Sequence, residues 1–282
     1  MTIELRRPQP EHVAELGRIC YEAFRDIAES HGFPPDFDSI EFAQGVVGLL
    51  MQQETVYSVA AFDDGAPRGS NYMNMWGDAA GIGPISVDLT AQGEGIGRRL
   101  MLGTLAHAKK QGIEMVRLCQ DSFNMRSLAL YASLGFDVQE PLAYLTLAPG
   151  PVDDAFRPAT PADYDAMDAL CRDIYRISRK GEYATLTAAG FPAFVLDRGH
   201  VTGYLIGTAI GHGVAESDDE MLALLAGIAA TTPGAQAFVP LRQGGLYRRA
   251  LAAGHRNRKV MNLMSYGPYE QPRGTYCASV MF

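Results

Sequence analysis

The 282 residues are 47% hydrophobic and 20% charged, the proportions of a folded chain with a substantial core. No apolar run reaches about 18 residues, and "MTIELRRPQPEH" lacks the apolar middle of an export signal, so neither a membrane nor an exported location is expected and the cytoplasm is. The net charge is −8, and all of it falls up to Gly150, with 19 acids against 11 bases there and 13 against 13 beyond. That distribution disfavours nucleic acid and mildly favours a cationic small molecule, the other reading being a solvated acidic face.

In chain order, "IELRRP" is a short strand. "EHVAELGRICYEAFRDIAE" follows as a helix, with Val13, Leu16, Ile19, Cys20 and Phe24 on its apolar side. "GFPPDFD" breaks it, and a second helix opens at Ser39, a suitable cap. "VYSVAAFDDG", "RGSNYMNMWGD" and "GIGPISVDL" are three strands, the first ending in a turn at Asp64-Gly65. After the loop "TAQGEGIG" a helix carries the stripe Ile96, Leu100, Met101, Leu105 and Ala108 to Gly112. "EMVRLCQDS" is an apolar strand, "NMRSLALYASLG" a helix stopped by Gly135, and "FDVQEPLAYLTL" a closing strand. "LAPGPVDDA" reads as a linker.

Beyond the linker the chain restarts. "RRPQPEHVAELGRICYEAFR" and "RPATPADYDAMDALCRDIYR" align at a constant offset of 151, matching Arg6 with Arg157, Pro10 with Pro161 and Cys20 with Cys171. Such a period is the length of a whole domain. A hairpin turning at Arg198-Gly199, a helix over "SDDEMLALLAGIAA", the strand "GAQAFVP" and a helix ending at Gly254 follow. The last strand, "GTYCASVMF", either stays in this half or crosses to a partner. The four cysteines are far apart and in no metal-ligand spacing, which predicts buried, reduced thiols and no metal.

The glycines at 93, 95 and 97 stand at the mouth of a helix. That is either a tight turn or a seat for an anion, because a helix N-terminus offers unpaired N–H groups and a partial positive charge. Glycine removes the side chains that would hold an anion away, and Gln92 and Arg98 add donors at the rim. In the second half "GHGVAESDDEM" occupies this place, with acids that repel an anion. Asn124, Ser127 and Tyr131, at i, i+3 and i+7, share one face of the next helix, with Leu130 and Leu134 directed to the core. Two readings stand: Asn124 as a cap and Tyr131 as packing, or a polar stripe ending in a general acid. His212 and Glu216 are expected to be structural, His107 to face outward, and Arg99 to reach a phosphate or solvent.

"QGEGIG", Gln92–Gly97, resembles the Q/R-x-x-G-x-G/A motif of the GNAT superfamily of N-acetyltransferases. "ISVDLTA" is similar to that family's fourth strand, and "N-x-x-S-x-x-x-Y-x-x-x-G-F", Asn124 to Phe136, to its next signature. The resemblance implies an α/β (α+β) fold of two tandem GNAT-like domains, each a mixed, mostly antiparallel sheet flanked by helices. Residues 1–148 would be the catalytic domain, 149–155 the linker, and 156–282 a degenerate copy without the pyrophosphate loop. It implies acetyl-CoA as cosubstrate and no metal. The loop residues Gln92, Gly93, Glu94, Gly95, Ile96, Gly97 and Arg98 would hold the pyrophosphate, Ile85 and Val87 the pantetheine arm, and Asn124 and Ser127 further parts of the donor.

The implied reaction is acetyl transfer to a primary amine by direct attack. Tyr131, a phenol that stays protonated at neutral pH, would return a proton to the leaving sulfur, and backbone N–H near Val87 would stabilise the oxyanion. Cys119 has no histidine near it in sequence and is not expected to be a nucleophile. The base is Asp78, Asp121 or relayed water. Trp76 either lines the acceptor site or packs. In this family the two first helices wall the acceptor pocket, and their acids, Asp26 and Asp36 among them, suit a cationic amine. The alternative is a non-catalytic acyl-CoA-binding sensor or scaffold. A homodimer is compatible with either.

Overall fold

The two halves of the chain lay down the same elements in the same order. The computed structural model describes residues 2–207 and 209–281. The first half runs β1 (Ile3–Arg6), α1 (Val13–Ser30), α2 (Ile40–Gln52), β2 (Val56–Asp63), β3 (Ala66–Asn74), β4 (Ala80–Val87), α3 (Ile96–Lys110), β5 (Val116–Asp121), α4 (Met125–Ser133) and β6 (Asp137–Thr146). The second runs β7 (Phe156–Pro158), α5 (Tyr164–Tyr175), α6 (Lys180–Ala188), β8 (Ala193–Asp197), β9 (Val201–Ile206), β10 (Gly213–Ala215), α7 (Asp218–Thr231), β11 (Gln236–Pro240), α8 (Gly244–Ala252) and β12 (Arg256–Tyr266), then adds β13 (Thr275–Cys277). Both α1 and α5 are entered through a 3-10 turn begun by proline, at Pro10 and Pro161, where a missing N–H costs nothing.

Compactness does not follow the linker. One unit runs to Met75 and adds Ala80–Val116 and Phe123–Gly135; the other takes Trp76–Ala79, Arg117–Ser122 and the chain from Phe136 onward. In the first, β1-β2-β3-β4 form antiparallel neighbours, in register Leu5↔Ala61, Val59↔Asn71 and Ser70↔Ser86. Val59 and Ala61 lie on one sheet face and form a core with Ile96 and Leu100 of α3. α1 and α2 approach closely because Gly17 has no side chain; a Cβ there would come within 2.6 Å of the Gln44 backbone. Ser39 caps α2 as expected, its Oγ accepting the Phe42 N–H at 3.2 Å.

In the second unit β6 lies between two strands from the other half of the sequence. It pairs antiparallel with β12 (Leu142↔Met261) and with β11 (Ala143↔Val239). The last strand stays in its own half, since β13 pairs with β10 through Val214↔Tyr276, extending β7-β8-β9-β10. A core of Leu145, Leu196, Leu205, Leu224, Ile228 and Val239 joins residues from both sides of the linker.

α6 and β12 are among the elements that were not foreseen. α6 buries Glu182, Tyr183 and Leu186, a mixture that gives no apolar stripe to read. Gly181 lies where a Cβ would meet the Trp76 carbonyl oxygen at 1.8 Å, so the Trp76 backbone is packed against α6. β12 opens on the exposed run Arg256, Asn257 and Arg258, which masks the alternation of the rest of the strand.

Candidate active site

The site begins where β4 ends. The Asp88 N–H donates to Arg68 O at 2.9 Å, so this position faces β3. By strand alternation Ser86 faces the same way, while Ile85 and Val87 turn their backbone groups away from β3. Asp88 Oδ1 then accepts the Thr90 N–H at 2.9 Å, winding the chain into a 3-10 turn over Leu89–Ala91.

Gly93 and Gly95 follow with φ +92° and +81°, conformations that disfavour L side chains. Gly95 is the N-cap of α3; no side chain caps that end and its first turn holds no acid. The first N–H inside the helix is that of Arg99, donated to Gly95 O at 3.1 Å. The N–H groups of Ile96, Gly97 and Arg98 precede it and have no acceptor within the helix. A Cβ added at Gly95 would meet nothing within 4 Å, so the approach is open. Uncapped donors, an open approach and two arginines at the rim fit a diphosphate. Glu94 is exposed, and only its backbone suits an anion.

α4 lies against this entrance. Arg98 donates to Ser133 Oγ at 2.6 Å, Arg126 donates to Gln92 Oε1 at 2.9 Å, and a Cβ on Gly97 would touch Leu130 at 3.6 Å. Residues 126, 130 and 133 therefore form the face of α4 turned to α3. Asn124 is a helix cap, its Oδ1 accepting the Ser127 N–H at 3.1 Å, and Ser127 Oγ donates back to Asn124 O at 3.0 Å. Tyr131, beside Leu130, is the buried residue of α4, at 6% exposure. Leu130 and Leu134 are half-buried rather than core residues.

Sequence reading missed Arg126. A cation in the first turn of a helix opposes the helix dipole by about 0.3–1 kcal/mol, and that local disadvantage is the signal for a role outside the helix. Gln92 is also more engaged than expected: its Nε2 donates to Val87 O at 3.3 Å, across one of the backbone groups assigned to the pantetheine arm.

Several expectations resolve locally. Arg99 donates to Ile3 O at 2.9 Å, which ties α3 to β1. His107 does not face outward; it stacks on Tyr57 with centroids 3.8 Å apart, and burial followed by Lys110 lowers its pKa. Asp78 accepts the Ser178 N–H at 2.7 Å, and Asp121 pairs with Lys259 at 2.7 Å. Burial pushes the thiols of Cys20, Cys119 and Cys277 up to about 12 and that of Cys171 to about 11, so none is a ready nucleophile. Asp26, Asp36 and Asp38 are exposed, and Phe33 stacks on Phe123 with centroids 4.4 Å apart.

The equivalent place in the second half is closed to anions. Ser217 caps α7 by accepting the Glu220 N–H at 3.2 Å, and Asp218, Asp219 and Glu220 fill the first turn. Nearby, His212 is wholly buried between Glu182, at 2.9 Å, and the Tyr204 hydroxyl, at 2.7 Å. Burial of Glu182 favours its neutral form, but Arg179 and His212 outweigh this and hold its pKa below the usual range. Burial, then Arg179, lowers the His212 pKa to about 4, against the pull of Glu182. Between the unfolded value of about 6.5 and about 4, the unfolded chain binds a proton that the folded chain does not. Stability therefore falls as pH drops through this window, by up to about 1.4 kcal/mol per pH unit. Urea unfolding at pH 7, 6 and 5 should show that slope in the wild type and lose it in His212→Gln; equal slopes would remove His212 as the cause.

The acetyltransferase (GNAT) family model matches residues 15–136. Three curated relatives are named mycothiol acetyltransferase. That of Propionibacterium freudenreichii is 27% identical over 163 residues, 55% of this chain and 45% of the relative. That of Nocardiopsis dassonvillei is 34% identical over 145 residues, 51% and 40% of the two chains. That of Saccharomonospora viridis is 39% identical over 128 residues, 45% and 38%. The matched part thus spans less than half of these relatives. In fold, a Pyrococcus horikoshii crystal structure is similar over 96% of this chain and 91% of its own, with TM-score 0.78 and 15% identity. A GCN5-related N-acetyltransferase from Sphaerobacter thermophilus covers 97% and 98%, with TM-score 0.62 and 16% identity. Residues 15–136, which hold the open mouth of α3 and the helix packed on it, are the part of the chain that is similar to the acetyltransferase (GNAT) family.

Proposed function

We propose that the chain is an acyl-CoA-dependent N-acyltransferase that moves an acetyl group to a primary amine of a cationic small molecule, with residues 1–148 as its catalytic domain and 156–282 as a degenerate copy. The observation that carries this reading is the uncapped, glycine-built entrance of α3, held to α4 by Arg98 and Arg126 with the buried Tyr131 one residue from the contact. The closed entrance of α7 favours one working site per chain.

Acetyl-CoA supplies the acyl group as a thioester. The amides of Ile96, Gly97 and Arg98 bind its diphosphate, and the backbone of Ile85 and Val87 aligns the arm. Backbone N–H near Val87 polarises the carbonyl, and Tyr131 delivers a proton to the departing sulfur. With Asp78 and Asp121 engaged by Ser178 and Lys259, removal of the amine proton falls to water at the open side. The exposed acids at 26, 36 and 38 favour cationic acceptors, and the relatives' name adds mycothiol-related amines to the candidates. Thermal shift with CoA, acetyl-CoA and ATP tests the donor: a ligand at about 100 times its Kd adds about 2.7 kcal/mol. Thiol release with polyamines, aminoglycosides, amino acids, peptides and mycothiol-related amines then tests the transfer. Stabilisation by ATP alone, or a preference for anionic acceptors, would reject the reading.

A further inference from the structure

Arg126 is in an unfavourable place for the helix that carries it and a favourable one for an anion on α3. It is exposed in the first turn of α4 and reaches across to the loop, with Nη1 donating to Gln92 Oε1 at 2.9 Å. Its Nη2 lies 3.4 Å from where a Cβ on Gly93 would stand. The guanidinium therefore rests directly over the first of the two glycines whose positive φ opens the loop. Among the described residues it forms no ion pair with a carboxylate. The neutral amide that holds it is itself bonded to Val87 O, so Arg126, Gln92 and the end of β4 form a chain across the mouth of α3. A guanidinium held by one neutral acceptor exchanges readily for a phosphate oxygen, which offers a charge-assisted, bidentate partner.

We propose that Arg126 is a donor-binding residue: it gives up Gln92 and clamps a phosphate of the acyl donor from the α4 side, opposite the amides of α3. This rests on the reading of the loop as the acyl-CoA site. The group engaged is a phosphate monoester or diphosphate oxygen, and the two phosphate positions of CoA are separated by the probes below.

The test is calorimetric titration of the full chain with CoA and with 3′-dephospho-CoA, for wild type, Arg126→Ala, Gln92→Ala and the double variant, with melting curves to establish that each is folded. Arg126→Ala should weaken CoA binding about tenfold to a hundredfold, and should do so equally in the Gln92→Ala background. If the loss persists with dephospho-CoA the clamp is on the diphosphate; if it disappears, the clamp is on the 3′-phosphate. Arg126→Lys should recover part of the affinity. Unchanged CoA affinity in Arg126→Ala, or a loss that vanishes once Gln92 is removed, would overturn the proposal while leaving the loop assignment intact. Wild-type protein that takes up no CoA would instead remove the loop assignment.

Discussion

Tyr131→Phe is expected to lower kcat for acetyl transfer by about 10²- to 10⁴-fold and to leave KM for acetyl-CoA within about twofold. The ring is buried at 6% exposure, and phenylalanine keeps its volume, so α4 stays packed against the entrance of α3. The phosphate donors belong to the loop and the rim, and the substitution touches neither. On the proposed mechanism it removes the proton for the departing sulfur, a contribution made in the transition state rather than in the ground state. Steady-state thiol release, with calorimetric CoA binding as control, checks this. A kcat within threefold of wild type would eliminate Tyr131 as the acid, and a matching loss of CoA affinity would make it a packing residue.

Gly95→Asp should raise the Kd for CoA by about 100-fold or more, since a like charge against the diphosphate costs several kcal/mol. The melting temperature should move by only a few degrees. A Cβ at this position has open space. The positive φ costs an L side chain roughly 1–2 kcal/mol, less for aspartate than for most. A carboxylate at the helix entrance recovers about 0.3–1 kcal/mol from the dipole. α7 already has this arrangement, with Ser217 and Asp218 at its start. The variant therefore converts the first entrance into a likeness of the second. Calorimetry and a melting curve on one sample separate the two effects. Retained affinity would mean that the anion lies elsewhere, and collapse of the fold would mean that Gly95 is chiefly a turn.

The parts of the structure legible in sequence are those set by neighbours along the chain. Ser39, Gly112 and Gly135 bound helices through local hydrogen bonds and positive φ, and Gly93 and Gly95 mark an entrance whose positive φ favours glycine. Of Asn124, Ser127 and Tyr131, the first two hold the helix start and the third is buried. Long-range pairings left no such trace. Arg126 meets Gln92 across 34 residues, and β6 meets β12 and β11 across the linker. The stack of His107 on Tyr57 depends on β2 and α3 being brought together. α6 was missed for another reason: Glu182 is buried because Arg179 and His212 neutralise it, so polarity there does not mark a surface.

The position of β6 between β11 and β12 bears on how this protein can be divided. Cutting at the linker would leave both flanks of that strand bare, a row of unsatisfied amides and carbonyls that invites self-association. A severed front portion should therefore be recovered as aggregates, whatever the integrity of its catalytic groups.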